Sequence, residues 1–166
     1  MNQYSVNTSA DLVVYGKIFT SEGNQIVEAF AVKDGKYIYV GDKAGVEAYI
    51  EAGKTEVLDY TGKGLVMPSC GNGHAHYSVG VALPIVGTVA IGQTPEELLT
   101  REQAIASLTI NIAKQMLIED ERGSISEGKY ADFLLVNKNV LSCPVDQIHE
   151  AKPAATYFEG KKVYAM

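Results

Sequence analysis

The chain has 166 residues, of which 46% are hydrophobic and 20% are charged, and its formal net charge is -6. This length is sufficient for one domain with a well-buried core, and the composition is typical of a soluble globular protein. The negative charge, with no local run of Lys and Arg to offset it, argues against nucleic acid or an anionic membrane surface as the main partner.

Three further features bear on the cellular location of the protein. The N-terminus lacks a basic stretch followed by an apolar one, so we expect no signal peptide and a cytoplasmic protein. Residues 77–95 carry no formal charge and approach the length of a membrane span, but glycines and a proline interrupt them, and we expect no transmembrane helix. Cys70 and Cys143 have no metal-like spacing, which predicts two free thiols.

The first part of the chain consists of strand-like runs and tight turns. Residues 11–20, 29–33 and 36–41 are rich in β-branched and aromatic side chains, and Asp34-Gly35 is a strong hairpin signal between the last two runs. Apolar residues then recur at helical spacing in residues 44–52. Two more short strands are predicted at residues 57–60 and 65–67.

The second half begins with helical signals and returns to strands. Thr94-Pro95 has the form of a helix start, and residues 100–118 keep a helical period that residues 120–123 end. Strand-like runs follow at 131–136, 155–158 and 162–165. Strands near both termini with helix between them predict a mainly β, α+β fold whose sheet is assembled from the two ends of the chain.

One short segment has residues suited to binding a metal ion. His74 and His76 stand at i and i+2 after the predicted strand at 65–67, so both imidazoles point to the same side. Neutral imidazole is a good ligand for zinc and similar divalent ions. A pair of histidines alone is weak evidence, but a strand and a glycine-bearing turn before it strengthen the interpretation.

Several segments together resemble the amidohydrolase superfamily of metal-dependent hydrolases. Residues 62–76, which end in His74-Ala-His76, are similar to the first barrel strand of that superfamily, and residues 11–41 are similar to its N-terminal β segment. The "GSI…GK.ADF" run in residues 123–136 and the final "GKKVY" are similar to its C-terminus. The resemblance is strongest to the branch that acts on exocyclic amide bonds.

The resemblance implies a fold, a metal and a division of the chain. The two termini would form a urease-type composite β-sandwich, made of residues 1–67 and 123–166. Residues 68–122 would be a short helical remnant of a (β/α)8 barrel that carries the His-x-His strand end. His74 and His76 would be metal ligands, with zinc as the expected ion, although Asn72 stands where family members commonly have Asp.

The resemblance also implies that most of the catalytic machinery is missing. A (β/α)8 barrel needs about 250 residues, and the family's other ligands, namely a carboxylated lysine or acid, two later histidines and an aspartate, find no counterpart here. A catalytic zinc typically has three protein ligands and a water. We therefore expect a chain that does not hydrolyse amides alone. Two alternatives stay open: a metal site assembled between protomers from His-x-His pairs, and a non-catalytic oligomeric scaffold or binding module.

Other candidate residues have structural interpretations. His149 is expected at the surface, in a turn-like stretch after Pro144, and Cys70 as a small buried thiol rather than a soft-metal ligand. Asp132 lies in the strand-forming run and is expected to be a structural acid. The uncharged residues 79–91 would expose apolar area without a barrel, which predicts a homo-oligomer or a collapsed local structure.

Overall fold

The computed structural model describes residues 9–71 and 99–166, and all structural statements refer to these residues. They form eight β-strands: β1 (Leu12–Phe19), β2 (Ile26–Lys33), β3 (Lys36–Gly41), β4 (Glu56–Asp59), β5 (Leu65–Pro68), β6 (Phe133–Val136), β7 (Pro153–Phe158) and β8 (Lys161–Ala165). The helices are short: α1 (Lys43–Val46), α2 (Arg101–Leu108) and α3 (Ile110–Gln115), with 3-10 turns at Glu47–Tyr49 and Val145–Glu150. The expected mainly β, α+β class is confirmed.

All eight strands belong to one sheet that joins the two ends of the chain. The strand order is β3-β2-β1-β5-β6-β7-β8, and β4 also pairs with β1. At the junction, β5 lies antiparallel to β6 with Leu65 opposite Val136 and Pro68 opposite Phe133. The sheet predicted from strands at both ends of the sequence is therefore present.

The predicted hairpin at Asp34-Gly35 is also confirmed. Both residues have positive φ, 50° and 78°, which is the backbone conformation that a two-residue turn between twisted strands requires. The turn joins β2 to β3 with Lys33 opposite Lys36.

The sheet curls until its two halves face each other. Phe30 on β2 and Phe133 on β6 lie three strand positions apart, which is roughly 14 Å in a flat sheet. Their ring centroids are nevertheless 5.0 Å apart in an edge-to-face contact, and Phe133 stacks on Tyr157 at 4.4 Å. The amide of Ala131 donates to the carbonyl of Gly35 (2.8 Å), so backbone hydrogen bonds also join the two halves.

Strands at the centre of the sheet are buried on both faces. Val66 on β5 and Leu135 on β6 point into the core between the two halves. Their neighbours Leu65 and Leu134 point to the opposite face, where Ile105 of α2 covers them. This double burial explains why these strands read as continuous apolar runs rather than as alternating ones.

The helical prediction for residues 100–118 is only partly right. Helix α2 begins after Thr100, whose side chain forms a reciprocal capping box with Gln103. The helix then breaks at Thr109, which has φ -124° and ψ -97°, and α3 ends at Gln115 rather than near residue 120. The break has a tertiary cause, because the Leu108 carbonyl accepts from the amide of Gly71 (2.8 Å). Similarly, the helix predicted at 44–52 is shorter, with only four α-helical residues.

The predicted helix start at Thr94 lies outside the described residues. Within the described ranges, every helix is too short or too polar to cross a bilayer.

A buried tyrosine in the core gives a stability prediction. Tyr37 is 1% exposed, and its hydroxyl has no hydrogen-bond partner among the described residues. A buried polar group without a partner costs free energy, so Tyr37→Phe should leave the free energy of unfolding at pH 7 unchanged or raise it by up to about 1 kcal/mol. Urea denaturation followed by circular dichroism measures this change.

The same variant should alter the response to alkaline pH. Burial raises the pKa of Tyr37 well above its ordinary value, so the native state keeps a proton that the unfolded state releases above about pH 10. Below about pH 10 this group therefore has no pH-dependent effect on the free energy of unfolding, and above that pH the free energy of unfolding falls. The Tyr37→Phe variant should lack this fall. Tyr164→Phe, at a tyrosine 49% exposed, is the matched control. A clear loss of stability in Tyr37→Phe at pH 7 would mean that the hydroxyl is hydrogen-bonded.

Candidate functional site

Strand β5 leads directly into the predicted metal-binding segment. Its residues Leu65 to Met67 are almost completely buried, and Ser69, Cys70 and Gly71 continue the chain from its end. His74 and His76 follow a few residues later and lie outside the described residues. The described part of the site is therefore the end of β5 and the side chains around it.

Two backbone hydrogen bonds hold the end of β5 in place. The amide of Ser69 donates to the carbonyl of Asp132 (3.1 Å), and the amide of Gly71 donates to Leu108 (2.8 Å). A Cβ at position 71 would lie 3.0 Å from a methyl group of Ile112, so glycine allows α3 to pack closely here. The segment before the histidines is thus attached both to the C-terminal strands and to the helices.

A charged cluster around Arg122 lies beside this strand end. The guanidinium of Arg122 donates to the carboxylates of Asp132 and Glu159, the latter at 2.6 Å. It also lies over the rings of Tyr130 and Phe158, 4.3 Å and 4.8 Å from their centroids. The second carboxylate oxygen of Asp132 accepts from the amide of Glu159 (2.8 Å). Asp132 is therefore a structural acid, as expected.

A cleft opens between the strand end, helix α3 and the end of β7. We call it the Cys70 cleft. Its volume is about 460 Å³, and its walls include Cys70, Ile112, Met116, Ile118, Arg122 and Phe158. Most of these side chains are apolar, and Arg122 is the one cation among them.

The described residues do not complete a metal site. No group of three His, Cys, Asp or Glu side chains within residues 9–71 and 99–166 could hold a metal ion. Burial raises the pKa of the Cys70 thiol to about 11, so without a metal the thiol stays protonated at neutral pH. His149 is exposed in the 3-10 turn Val145–Glu150, which agrees with the surface position expected for it. Cys70 and Cys143 are both free thiols, as predicted.

Sequence patterns did not identify Arg122 and Glu159 as members of the site. Arg122 lay in the segment that was expected only to end a helix, and Glu159 in a turn before the last strand. Arg122 is 10 positions from Asp132 and 37 positions from Glu159 in the sequence. A local sequence pattern cannot predict contacts over these separations.

The profile of the amidohydrolase family matches residues 65–164. These residues make up more than half of the 166-residue chain and run from β5 to β8. The chain therefore belongs to the amidohydrolase family.

Two curated relatives and one solved structure are similar to shorter parts of the chain. An N-substituted formamide deformylase from Arthrobacter pascens is 32% identical over 66 residues, which are 40% of this chain and 12% of that protein. An imidazolonepropionase from Shewanella oneidensis is 56% identical over 39 residues, 24% of this chain and 10% of that protein. An amidohydrolase from Thermotoga maritima has 25% sequence identity and a TM-score of 0.40 over 51% of this chain and 19% of its own.

The chain thus covers about a tenth of the length of the two curated relatives.

Proposed function

We propose that this chain is the composite β-sandwich part of a metal-dependent amidohydrolase that acts on non-peptide carbon–nitrogen bonds, and that alone it does not hydrolyse amides. In this proposal residues 1–67 and 123–166 form the sandwich, and residues 68–122 are the barrel remnant that carries the metal-binding histidines. The protein would be cytoplasmic, with a small amide as the substrate of the complete enzyme.

The observation that supports this proposal is the pairing of β5 with β6. Strand β5 precedes His74 and His76 in the sequence, and its register with β6 fixes Leu65 opposite Val136. A segment that leads to a His-x-His pair is thereby attached to C-terminal strands more than sixty residues away in the chain. Such a sheet gives the histidine segment a rigid base, which a metal ligand needs for fixed geometry.

The proposal that the chain alone is inactive is based on the number of metal ligands. A catalytic zinc typically has three protein ligands and one water, whose pKa the ion lowers. His74 and His76 supply two ligands, and the described residues offer no cluster of three. Two imidazoles would hold zinc weakly and would provide no general base, so bond cleavage lacks both an activated water and a proton acceptor.

The test combines metal analysis with an amide-hydrolysis assay. Purified protein, incubated with zinc and dialysed, should retain well below one ion per chain and release no formate or amine from N-benzylformamide beyond the buffer rate. The variant His74→Ala/His76→Ala should behave identically in the assay and retain still less zinc. Turnover that this double variant abolishes would contradict the proposal.

The metal-loaded sample also separates the alternatives. Assembly of one site from two His-x-His pairs would give one zinc per two chains and a zinc-dependent dimer in analytical ultracentrifugation. A scaffold that associates through residues 79–91 would form the homo-oligomer without metal, and Ala substitutions at the two histidines would leave its mass unchanged.

A further inference from the structure

The Cys70 cleft has the size and wall chemistry of a ligand pocket. Its volume of about 460 Å³ falls within the range of roughly 300–1,000 Å³ that is usual for small-molecule sites. Met116 and Phe158, which both line the cleft, are 57% and 51% exposed. A molecule seated between them would remove apolar area from water on both sides, which is the main source of affinity for a small ligand.

The charges of the cleft disfavour an anionic ligand. The two terminal nitrogens of Arg122 donate to Asp132 and Glu159, so one cation faces two carboxylates. An incoming carboxylate would have to compete with these two carboxylates for the guanidinium and would approach two like charges. The Cys70 thiol adds no charge, because burial raises its pKa to about 11.

The backbone just after α3, which forms one wall, is held in an unfavourable conformation. Leu117 has φ +57°, where a helix usually places glycine, and its side chain is 85% exposed. Local strain of this kind tends to persist at binding sites, where the surrounding structure maintains it.

We propose that the Cys70 cleft binds a neutral, mainly apolar small molecule of about the size of a fused aromatic ring pair. This inference does not rest on the function proposed above, since it requires neither His74 and His76 nor a metal ion, although the cleft adjoins the strand end that leads to the histidines. Its apolar walls come from Ile112, Met116, Ile118 and Phe158, and the carboxylates of Asp132 and Glu159 beside Arg122 disfavour an anion.

The first test is a titration of the ¹⁵N-labelled full chain with indole, followed by NMR. Saturable shifts are expected for the amides of Gly71, Ala113 and Gly123, which line the cleft. Indole-3-acetate, which has the same ring and a carboxylate, should bind about fivefold more weakly because of the like charges. Equal affinity for both compounds would overturn the charge assignment, and indole shifts confined to other residues would overturn the site.

The second test uses exposed apolar residues, whose substitution should leave the fold intact. Met116→Ala removes part of the cleft wall and should weaken indole binding about threefold, because the ligand then buries less apolar area. Val57→Ala, at a residue 48% exposed on β4 and absent from the cleft, should leave the affinity unchanged. Equal effects of the two substitutions, or no saturable binding to the wild-type chain because its own residues already fill the cleft, would overturn the proposal.

Discussion

Gly64→Ala should lower the free energy of unfolding by more than about 3 kcal/mol, because the new methyl group would collide with backbone rather than with a movable side chain. A Cβ at this position would overlap the carbonyl oxygen of Val136 and lie 2.9 Å from the carbonyl carbon of Asn137. Gly64 immediately precedes β5, and Val136 ends β6. The substitution therefore forces apart the two strands that join the ends of the chain.

Gly62→Ala is the control for the backbone conformation alone. Gly62 has φ +74°, which a side chain also disfavours, but a Cβ there has no heavy atom within 4 Å. Its substitution should cost only about 1 kcal/mol. Urea denaturation of both variants, followed by circular dichroism, gives the comparison. Similar losses for the two glycines would show that β5 and β6 do not approach each other this closely.

Much of the strand structure could be predicted from the sequence because its signals are local. Asp34-Gly35 requires two positive φ angles between apolar runs, and few structures other than a hairpin use that combination. Apolar runs at residues 65–67 and 131–136 indicate strands buried on both faces, as β5 and β6 are. Strand propensity alone could not predict that these two strands pair. That prediction was based on the strands near both termini and on the resemblance of both ends of the chain to one family.

The helices were predicted less well because distant contacts decide where they end. The apolar spacing of residues 100–118 continues through Thr109, and nothing local marks a break there. The break exists because the amide of Gly71 bonds to the Leu108 carbonyl, and the Thr109 hydroxyl donates to Ile105 while lying 3.0 Å from Ser21 Oγ. Gly71 and Leu108 are separated by 37 positions in the sequence, and Ser21 and Thr109 by 88. No periodic pattern of apolar residues can reveal contacts over such separations.

The candidate site was predicted in part for a similar reason. The His-x-His pair is a short motif that a sequence displays directly. The Arg122 cluster is not, since its carboxylate and aromatic partners come from residues just before β6, from β7 and from the turn after β7, and the pairing of β6 with β7 brings them together.

Phe133→Ala tests that curvature and should cost about 3–5 kcal/mol, as expected for a large aromatic side chain deleted from a packed core. Phe133 is fully buried, and its ring contacts both Phe30 and Tyr157. Phe158→Ala removes the same atoms from a ring that is 51% exposed, and it should cost less than about 1 kcal/mol. Chemical denaturation measures the loss in the free energy of unfolding for each variant. The difference between the two losses gives the effect of burial, separate from the effect of removing a phenylalanine ring.

The double variant Phe30→Ala/Phe133→Ala shows whether β2 and β6 pack across the core. Rings in edge-to-face contact at 5.0 Å should be coupled by about 0.5–1.5 kcal/mol, so the double variant loses less stability than the two single losses added together. Phe158→Ala/Phe30→Ala is the matched pair, and its effects should add. Strict additivity for Phe30 and Phe133 would place the two rings out of contact, and the sheet would then have to be open rather than folded over its own core.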